Sequence, residues 1–410
     1  TEDPHALLVA SIDFSHYLPS EVADFHDALA QDVITSLADL EADRVEIDSP
    51  STLAIALNVA RSLGLGDVTI HAHTNSLRLL KAEIAQESTS HFLASFAPGE
   101  IARQTKLTLL FFGDLLFDRH VRERMRAAKS IEYPFAKIRG QENRLFWGQD
   151  FVIVNLEGPV SATRRPPEKE IDFAFDPSIV PVLKKMNIAA VSQANNHTLD
   201  QGRKGATESR VYLANGGVES FGDQILDSTS TSLAILERRG QRVALVGFNT
   251  TDHTLDRKRT AEILAEAKHR ASRVIVFMHW GTEYHAKPNS SQIDLAHWFI
   301  DHGVSAVVGA HPHWMQSVEV YHDRPIIYSL GNFIFDQDWS RETNLGLAIG
   351  LVLGEEGSDA HLFPIKIVKS QPALLTGAER RKRLKRLAEI SDSSLRDQIL
   401  SGVIHIPRAQ

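Results

Sequence analysis

Apolar runs of strand length recur along most of the chain beyond residue 106, at 107–112, 151–154, 188–191, 243–248, 274–278, 306–308, 326–330 and 345–353. Most intervals between them carry helical spacing. One of these, 291–302, is expected to take its cap from Ser290 or Ser291 and to stop at Gly303. Continuous apolar strands are buried on both faces, and their alternation with helices predicts an α/β layered sandwich. The last runs stand closer together, which predicts antiparallel pairing there. No internal repeat is visible.

Residues 1–96 read differently. A strand at Leu7–Ile12 leads into Asp13-Phe14-Ser15-His16-Tyr17, and Pro19 and Ser20 open an amphipathic helix. Ser51 or Thr52 is expected to cap a second helix that ends near Gly64 and Gly66. Val68-Thr69-Ile70 and His91–Phe96 carry strand character. Ala97-Pro98-Gly99-Glu100 is the clearest break. The expected organisation is therefore a first domain at 1–96, a linker at 97–105, a second domain at 106–370 and a helical extension at 371–410. The extension holds a basic helix at 377–390, read as a solvated face.

Composition narrows the function. The chain has 410 residues, 43% of them hydrophobic, enough for a sizeable core. Its 44 basic and 52 acidic residues leave a net charge of −8, with the basic ones dispersed, which excludes a nucleic-acid-binding stripe. The absence of cysteine removes disulfides, thiolate zinc sites and cysteine nucleophiles, and leaves the compartment open. The apolar stretch Leu107–Phe117 is broken by Asp114 and is far short of the roughly 20 residues of a spanning helix. The chain starts at Thr1 and soon enters the apolar run Ala6–Ala10. It is read as lacking its natural N-terminus, and any signal peptide or membrane association would belong to that missing part.

Chemistry gathers where the apolar runs stop. Gly113-Asp114, Asn155-Leu156-Glu157-Gly158, Asn195-Asn196-His197 with Asp200, His279-Trp280-Gly281 with Glu283-Tyr284, Gly309-Ala310-His311-Pro312-His313 and Gly331-Asn332 each close a strand. In open α/β sheets, ligands collect outside the carboxyl ends of strands, so six strands could supply one crevice. Imidazole mixed with carboxylate suits Zn²⁺, Mn²⁺ or Fe far better than Ca²⁺. In a tight turn at Pro312, His311 and His313 can face two ions about 3.5–4 Å apart, with Glu157 as the bridge and a bridged water able to attack phosphorus in line. His269, His297, His302 and His322 fall in helical or turn contexts and are read as ordinary histidines.

With Asp118-Arg119 and Ser329-Leu330-Gly331-Asn332-Phe333 added, these motifs resemble the capsule-synthesis CapA family, also called the poly-γ-glutamate synthesis family, over residues 106–370. That family is a branch of the calcineurin-like metallophosphoesterase fold, so the resemblance implies a layered α/β sandwich with mixed sheets and one or two divalent ions. It implies that Asp114, Glu157 and His313 hold one ion and that Glu157, Asn196, His279 and His311 hold the other. His197 looks like the leaving-group acid, Asp200 its orienting carboxylate, and Arg119 a clamp for an anionic group. Leu116 stands where the metallophosphoesterase pattern has a His, and Glu157 where many relatives have Asp. The implied function is a metal-dependent hydrolase or phosphoesterase of capsule or poly-γ-glutamate synthesis, acting at the cell envelope on an anionic small molecule or polymer. The rival reading is a non-catalytic envelope-assembly protein that binds a polyanion or a structural metal.

Residues 1–96 resemble the C-terminal part of the Memo family, related in fold to class III extradiol dioxygenases. Ser11-Ile12-Asp13-Phe14-Ser15-His16-Tyr17, the segment around Asp48 and Thr74-Asn75-Ser76 carry that likeness. It implies a pocket of Asp13, His16 and Asp48, the last standing where a Cys is usual. The family's N-terminal portion, which supplies two histidines, is not in this chain. The alternative makes Asp13 and His16 a capping pair at a strand-to-helix turn. A half-domain of this kind is expected to expose apolar surface.

Overall fold

The computed structural model describes residues 8–80, 87–139, 141–222 and 232–408. Packing divides the chain into two units, one holding residues up to Thr108 with Gly140–Asp150, the other Leu109–Arg139 with Phe151 onward. The described residues 141–150 thus pack with the first unit. The Arg144 guanidinium is paired with Glu46, and Thr108 donates its N–H to Asp150 Oδ2 at 2.9 Å.

In the first unit, β1 (Phe14–Leu18), β2 (Asp67–Asn75) and β3 (Ser88–Ala97) form an antiparallel sheet in the order β1-β3-β2. The helices Ser20–Thr35 and Pro50–Ser62 supply Leu29, Val33, Leu53 and Leu57 to a core with Phe14. The strand expected at 7–12 starts instead at Phe14, because the pairing with β3 begins at Phe14 and Ser90. Leu8 and Val9, left outside that pairing, are exposed. Ser49 takes the cap position expected of Ser51 or Thr52, since Pro50 has the fixed φ suited to a first helical turn. Leu79, Leu80 and Leu93 also expose apolar side chains in this unit.

The second unit is a layered α/β structure with two mixed sheets. One contains β4 (Leu107–Leu115), β5 (Phe151–Leu156), β6 (Ile188–Ser192), β7 (Glu219–Phe221), β14 (Asn332–Ile334), β15 (Leu345–Leu353), β16 (Gly357–Val368), β17 (Gln371–Leu374) and β18 (Val403–Pro407). Its order is β17-β16-β15-β4-β5-β6-β7, with β14 beside β4 and β18 beside β16. The other contains β8 (Leu233–Arg238), β9 (Gln241–Asn249), β10 (Arg273–His279), β11 (Ala306–Ala310), β12 (Val318–Tyr321) and β13 (Arg324–Ile327), in the order β12-β13-β11-β10-β9-β8. Strands β4 to β7 run parallel, as do β9-β10-β11-β13. Late neighbours pair antiparallel, as expected, in β12-β13 and β15-β16.

Strands β4, β5, β11 and β15 are buried along their whole length, which is why they read as unbroken apolar runs. Phe111 of β4 and Phe221 of β7 reach Phe277 of β10 with ring centroids 6.2 and 6.3 Å apart, so the two sheets share a core. The helices Arg257–Arg270 and Ser290–Asp301 contribute Ile263, Leu264, Ala296 and Phe299 to the core around the second sheet. The latter helix is capped by Asn289, not by a serine. Asn289 and Gln292 exchange side-chain-to-backbone hydrogen bonds at 3.0 Å in a capping box. Gly303, with φ of 85°, follows its end as predicted.

The C-terminal stretch departs from a purely helical extension. After the helices Gly377–Ile390 and Arg396–Ser401, β18 returns to pair with β16. The basic helix is not solvated throughout, since Arg383, Leu384, Leu387 and Ala388 are buried. Among the described residues, no helix is long and apolar enough to cross a membrane.

Candidate metal centre

The strand ends of the second unit converge. Asp114 pairs in register with Asn155 of β5 and with Asn332 of β14. Gly113 is what lets these segments meet: a Cβ there would lie 1.8 Å from the Gly331 carbonyl oxygen. Asp114 then accepts the amide of Asn155 at 2.7 Å, and the same Asn155 nitrogen lies 3.1 Å from His279 Nδ1. His279 Nε2 is 2.9 Å from Asn196 Oδ1, and Asn195 donates to Asn155 Oδ1 at 3.2 Å and to the Leu156 carbonyl at 2.9 Å. Three asparagines therefore tie the ends of β4, β5, β6 and β10 together.

The His-Pro-His turn completes the cluster. Both His311 and His313 take left-handed backbone, with φ of 94° and 56°, a strained arrangement of the kind that gathers at functional sites. Their ring centroids are 6.1 Å apart, and His311 lies 4.7 Å from the His279 ring. The Tyr284 N–H donates to the Pro312 carbonyl at 2.8 Å and anchors the turn. His313 Nδ1 is 3.2 Å from Asp114 Oδ2 and 2.9 Å from Asn332 Oδ1. Asp114, Glu157 and His313 each present a ligand-type atom within 4.8 Å of the others, and all three are buried.

This density of charge in the interior shifts the protonation states. Burial, and then Asp114, push the Glu157 carboxyl well above its ordinary range. Burial works against a charge on His313, but Glu157 and Asp114 prevail and raise it to about 9. Burial and the charge of His313 pull His311 down to about 4, and burial with His311 pulls His279 well below its usual value. The cluster thus keeps two imidazoles neutral, with lone pairs available, beside two carboxylates that call for positive charge. Glu157 Oε2 and His311 Nδ1 are buried with no hydrogen-bond partner among the described residues. Unpartnered buried acceptors of this type suit a cation, and the donor set fits a borderline divalent ion.

His197 stands at the edge of the cluster. Its Nδ1 is 2.7 Å from Asp200 Oδ2, and its Nε2 is 3.9 Å from Glu157 Oε1. Asp200 is fixed by the Phe173 N–H at 2.8 Å and by Lys169 Nζ at 2.6 Å, and the Phe173 ring covers His197 with centroids 4.1 Å apart. Arg119 lies beside Phe173 and Phe335, its guanidinium 5.1 and 5.7 Å from their ring centres. Its fork is closed on buried Asp336, with Nε donating to Oδ2 at 3.0 Å and Nη2 to Oδ1. Leu116 is a fully buried apolar side chain with no ligand atom to offer, and its backbone N–H donates to the Ile334 carbonyl at 2.8 Å.

The geometry brings together Asp114, Glu157, Asn196, His197, Asp200, His279, His311 and His313. In the first unit, Asp13, His16 and Asp48 also meet within 4.8 Å, but at the surface. Neither Asp13 nor His16 caps the following helix: its cap position is Pro19, and Asp13 bonds His16 and the neighbourhood of Asp48 instead. Sequence reasoning gave no role to Asn155, Asn195 or Asn332, although all three lie inside its motifs. Lys169, Phe173 and Asp336 left no signal, since each sits in a loop without periodicity.

Fold and site together define a layered α/β protein that collects carboxylates and imidazoles at the ends of its parallel strands. The bacterial capsule synthesis protein family PGA_cap matches residues 108–337, and the chain belongs to that family. It is 31% identical to the PGA biosynthesis protein CapA of Bacillus subtilis over 284 residues, which cover 65% of this chain and 73% of that one. It is 27% identical to the capsule biosynthesis protein CapA of Bacillus anthracis over 311 residues, or 71% and 74% of the two chains. Among solved structures, it is similar to a novel phosphatase from Mycoplasma pneumoniae at 12% identity and a TM-score of 0.38, over 66% of this chain and 91% of that one.

Proposed function

We propose that this protein is a metal-dependent phosphoester hydrolase serving capsule or poly-γ-glutamate synthesis at the cell envelope, with an anionic substrate. The single observation that carries the reading is His197, which is aligned by Asp200 and directed at Glu157 without being needed to complete the buried carboxylate–imidazole group. The family's metallophosphoesterase resemblance supports it.

Asp114, Glu157 and His313 would hold one divalent ion, and Glu157, Asn196, His279 and His311 a second. Such ions, Mn²⁺, Zn²⁺ or Fe, supply an activated water and neutralise phosphoryl charge when bound. The chain's own groups do the rest. Asp200 accepts the Nδ1–H, so that the imidazolium form of His197 holds its second proton on Nε2, and that proton passes to the leaving oxygen and leaves a neutral ring. Phe173 shields that imidazole from water on one face. Asn155 fixes Asp114 and His279 in one frame, and Asp336 holds Arg119 beside the phenyl rings, where its charge is half-shielded.

The test is an assay of the purified chain with generic phosphomonoesters and phosphodiesters, with Mn²⁺ or Zn²⁺ and then with chelator. Turnover should require metal, and His197→Ala should keep metal while losing about 10²–10⁴-fold in rate, the worth of general acid catalysis. No turnover with any metal, together with tight metal retention, would favour the non-catalytic assembly protein. Loss of metal in His197→Ala would overturn the role given to that residue.

A further inference from the structure

The two unpartnered acceptors of the centre, Glu157 Oε2 and His311 Nδ1, call for a cation, and beside them stands an unpartnered donor. Asn249, the last residue of β9, is 1% exposed. Its Oδ1 accepts the Thr251 N–H at 3.0 Å and the Thr251 hydroxyl at 2.8 Å. The backbone N–H can only donate, so this pair fixes which end of the amide is oxygen. The other end, Nδ2, is buried and meets no acceptor among the described residues. A buried donor left in this state is costly, and a partner that arrives from outside would relieve it.

The strand register says where that donor stands. Asn249 pairs with His279 across β9 and β10, so the two side chains leave the same face of their sheet. Phe277, two residues before His279 on that face, meets Phe111 and Phe221, so the face is the one turned toward the other sheet. Gly247, in register with Phe277, marks the closest approach: a Cβ there would lie 2.8 Å from Gly222 Cα and 3.2 Å from Ala194 Cβ. Asn249 lies one pleat beyond Gly247, where Ala194 gives way to Asn195 and Asn196. It is thus level with His279, whose Nε2 is 2.9 Å from Asn196 Oδ1. Arg119, the residue expected to clamp an anion, already has its fork closed on Asp336.

We propose that Asn249 Nδ2 donates to an anionic oxygen of the phosphoryl group taken at this centre, beside the ligand group of Asn196, His279 and His311. The choice of a phosphoryl group rests on the hydrolase reading. Unpartnered acceptors and an unpartnered donor at one site match a cation and an oxyanion bound together, and a cation alone would leave the donor unmatched. A hydrogen bond to an anionic oxygen is of the stronger, charge-assisted kind. Asn249 is therefore a substrate-binding residue, distinct from those that hold the ions.

The test is calorimetric titration of the Mn²⁺-loaded full chain with inorganic phosphate, together with metal content and the kcat and KM of a generic phosphomonoester. Asn249→Asp keeps the oxygen that Thr251 bonds and replaces the donor, while Asn249→Ala removes both. Each should weaken phosphate binding by about 10-fold or more, the worth of a hydrogen bond to a charged group. KM should rise by a similar factor and kcat change less, because the non-bridging oxygens are anionic in the ground state and the transition state alike. Mn²⁺ content should match that of the wild-type chain. Undiminished phosphate affinity in both variants, loss of Mn²⁺ from either, or no phosphate binding by the wild-type chain would each overturn the proposal. Asn249-dependent phosphate binding in a chain that turns over no phosphoester would keep this site and sink the hydrolase reading. Turnover with phosphate affinity and KM indifferent to Asn249 would keep the hydrolase and sink the site.

Discussion

Among the described residues, three groups bring a histidine and two carboxylates within 4.8 Å of one another, and two of them stand at opposite extremes of burial. Asp114, Glu157 and His313 are sealed in the second unit, where Glu157 keeps an unpartnered oxygen. Asp13, His16 and Asp48 lie at the surface of the first unit and bond one another: His16 Nε2 to Asp13 Oδ2 at 3.1 Å, the Asp13 N–H to Asp48 Oδ1 at 3.1 Å. Water screens the exposed group, so its proximity implies little about a ligand. In the interior the same proximity forces protons or a cation onto the site. Ligand-type residues at the right distance are thus informative only in proportion to their desolvation.

The largest effect should come from removing a buried carboxylate. Asp114→Ala is expected to lower metal affinity by more than about 100-fold, beyond the 10–100-fold typical of groups that only orient a ligand. Metal content after gel filtration measures it. A variant that retains its metal would erase the distinction between the two groups. Next comes Asn155→Ala, which removes the shared tether of Asp114 and His279 and should cost about 10–100-fold in metal affinity with the fold intact. Equal affinity in this variant would show that β4 and β10 hold their side chains without it.

Asn155 also marks the limit of what the sequence discloses. The apolar runs of β4, β5, β10 and β15 are legible because burial on both faces leaves an unbroken hydrophobic signature, and strand ends then point to Asp114, Glu157 and His279. The asparagines stand in plain view beside those residues, yet their work is done by pairing with segments distant in the sequence, as between Asn155 and His279 or between Asn332 and His313. Spacing cannot reveal that. The strand β16 escaped for another reason: its first residues are only half-buried and its last alternate, so no continuous run marks it. Arg383 escaped because a basic run looks solvated until a neighbouring segment covers one side of it.

A smaller effect, in stability and not in metal, is expected from Asp27→Ala in the first unit. Asp27 is buried like Asp114 but saturated, accepting from Ser15 Oγ at 2.8 Å and bonding His73 Nε2 at 2.7 Å. Losing both should cost about 1–3 kcal/mol in denaturant unfolding, the penalty for stranding buried polar partners, with metal content unchanged. A drop in bound metal here would mean that burial with full hydrogen bonding does not exclude a ligand role.

The smallest effect should belong to Asp13→Asn. The Asp13 side chain is half in water at 51% exposure, and its ion pairs with His16 at 3.1 Å and His91 at 3.6 Å are of the surface kind. The amide keeps an oxygen for His16 and leaves untouched the backbone N–H that Asp48 accepts, so unfolding free energy should move by less than about 0.5 kcal/mol. Metal content should stay the same, because no buried acceptor is left without a partner when this carboxylate loses its charge. A measurable loss of metal would show that a solvated group can bind as its buried counterpart is expected to, and the contrast between the two units would then rest on something other than desolvation.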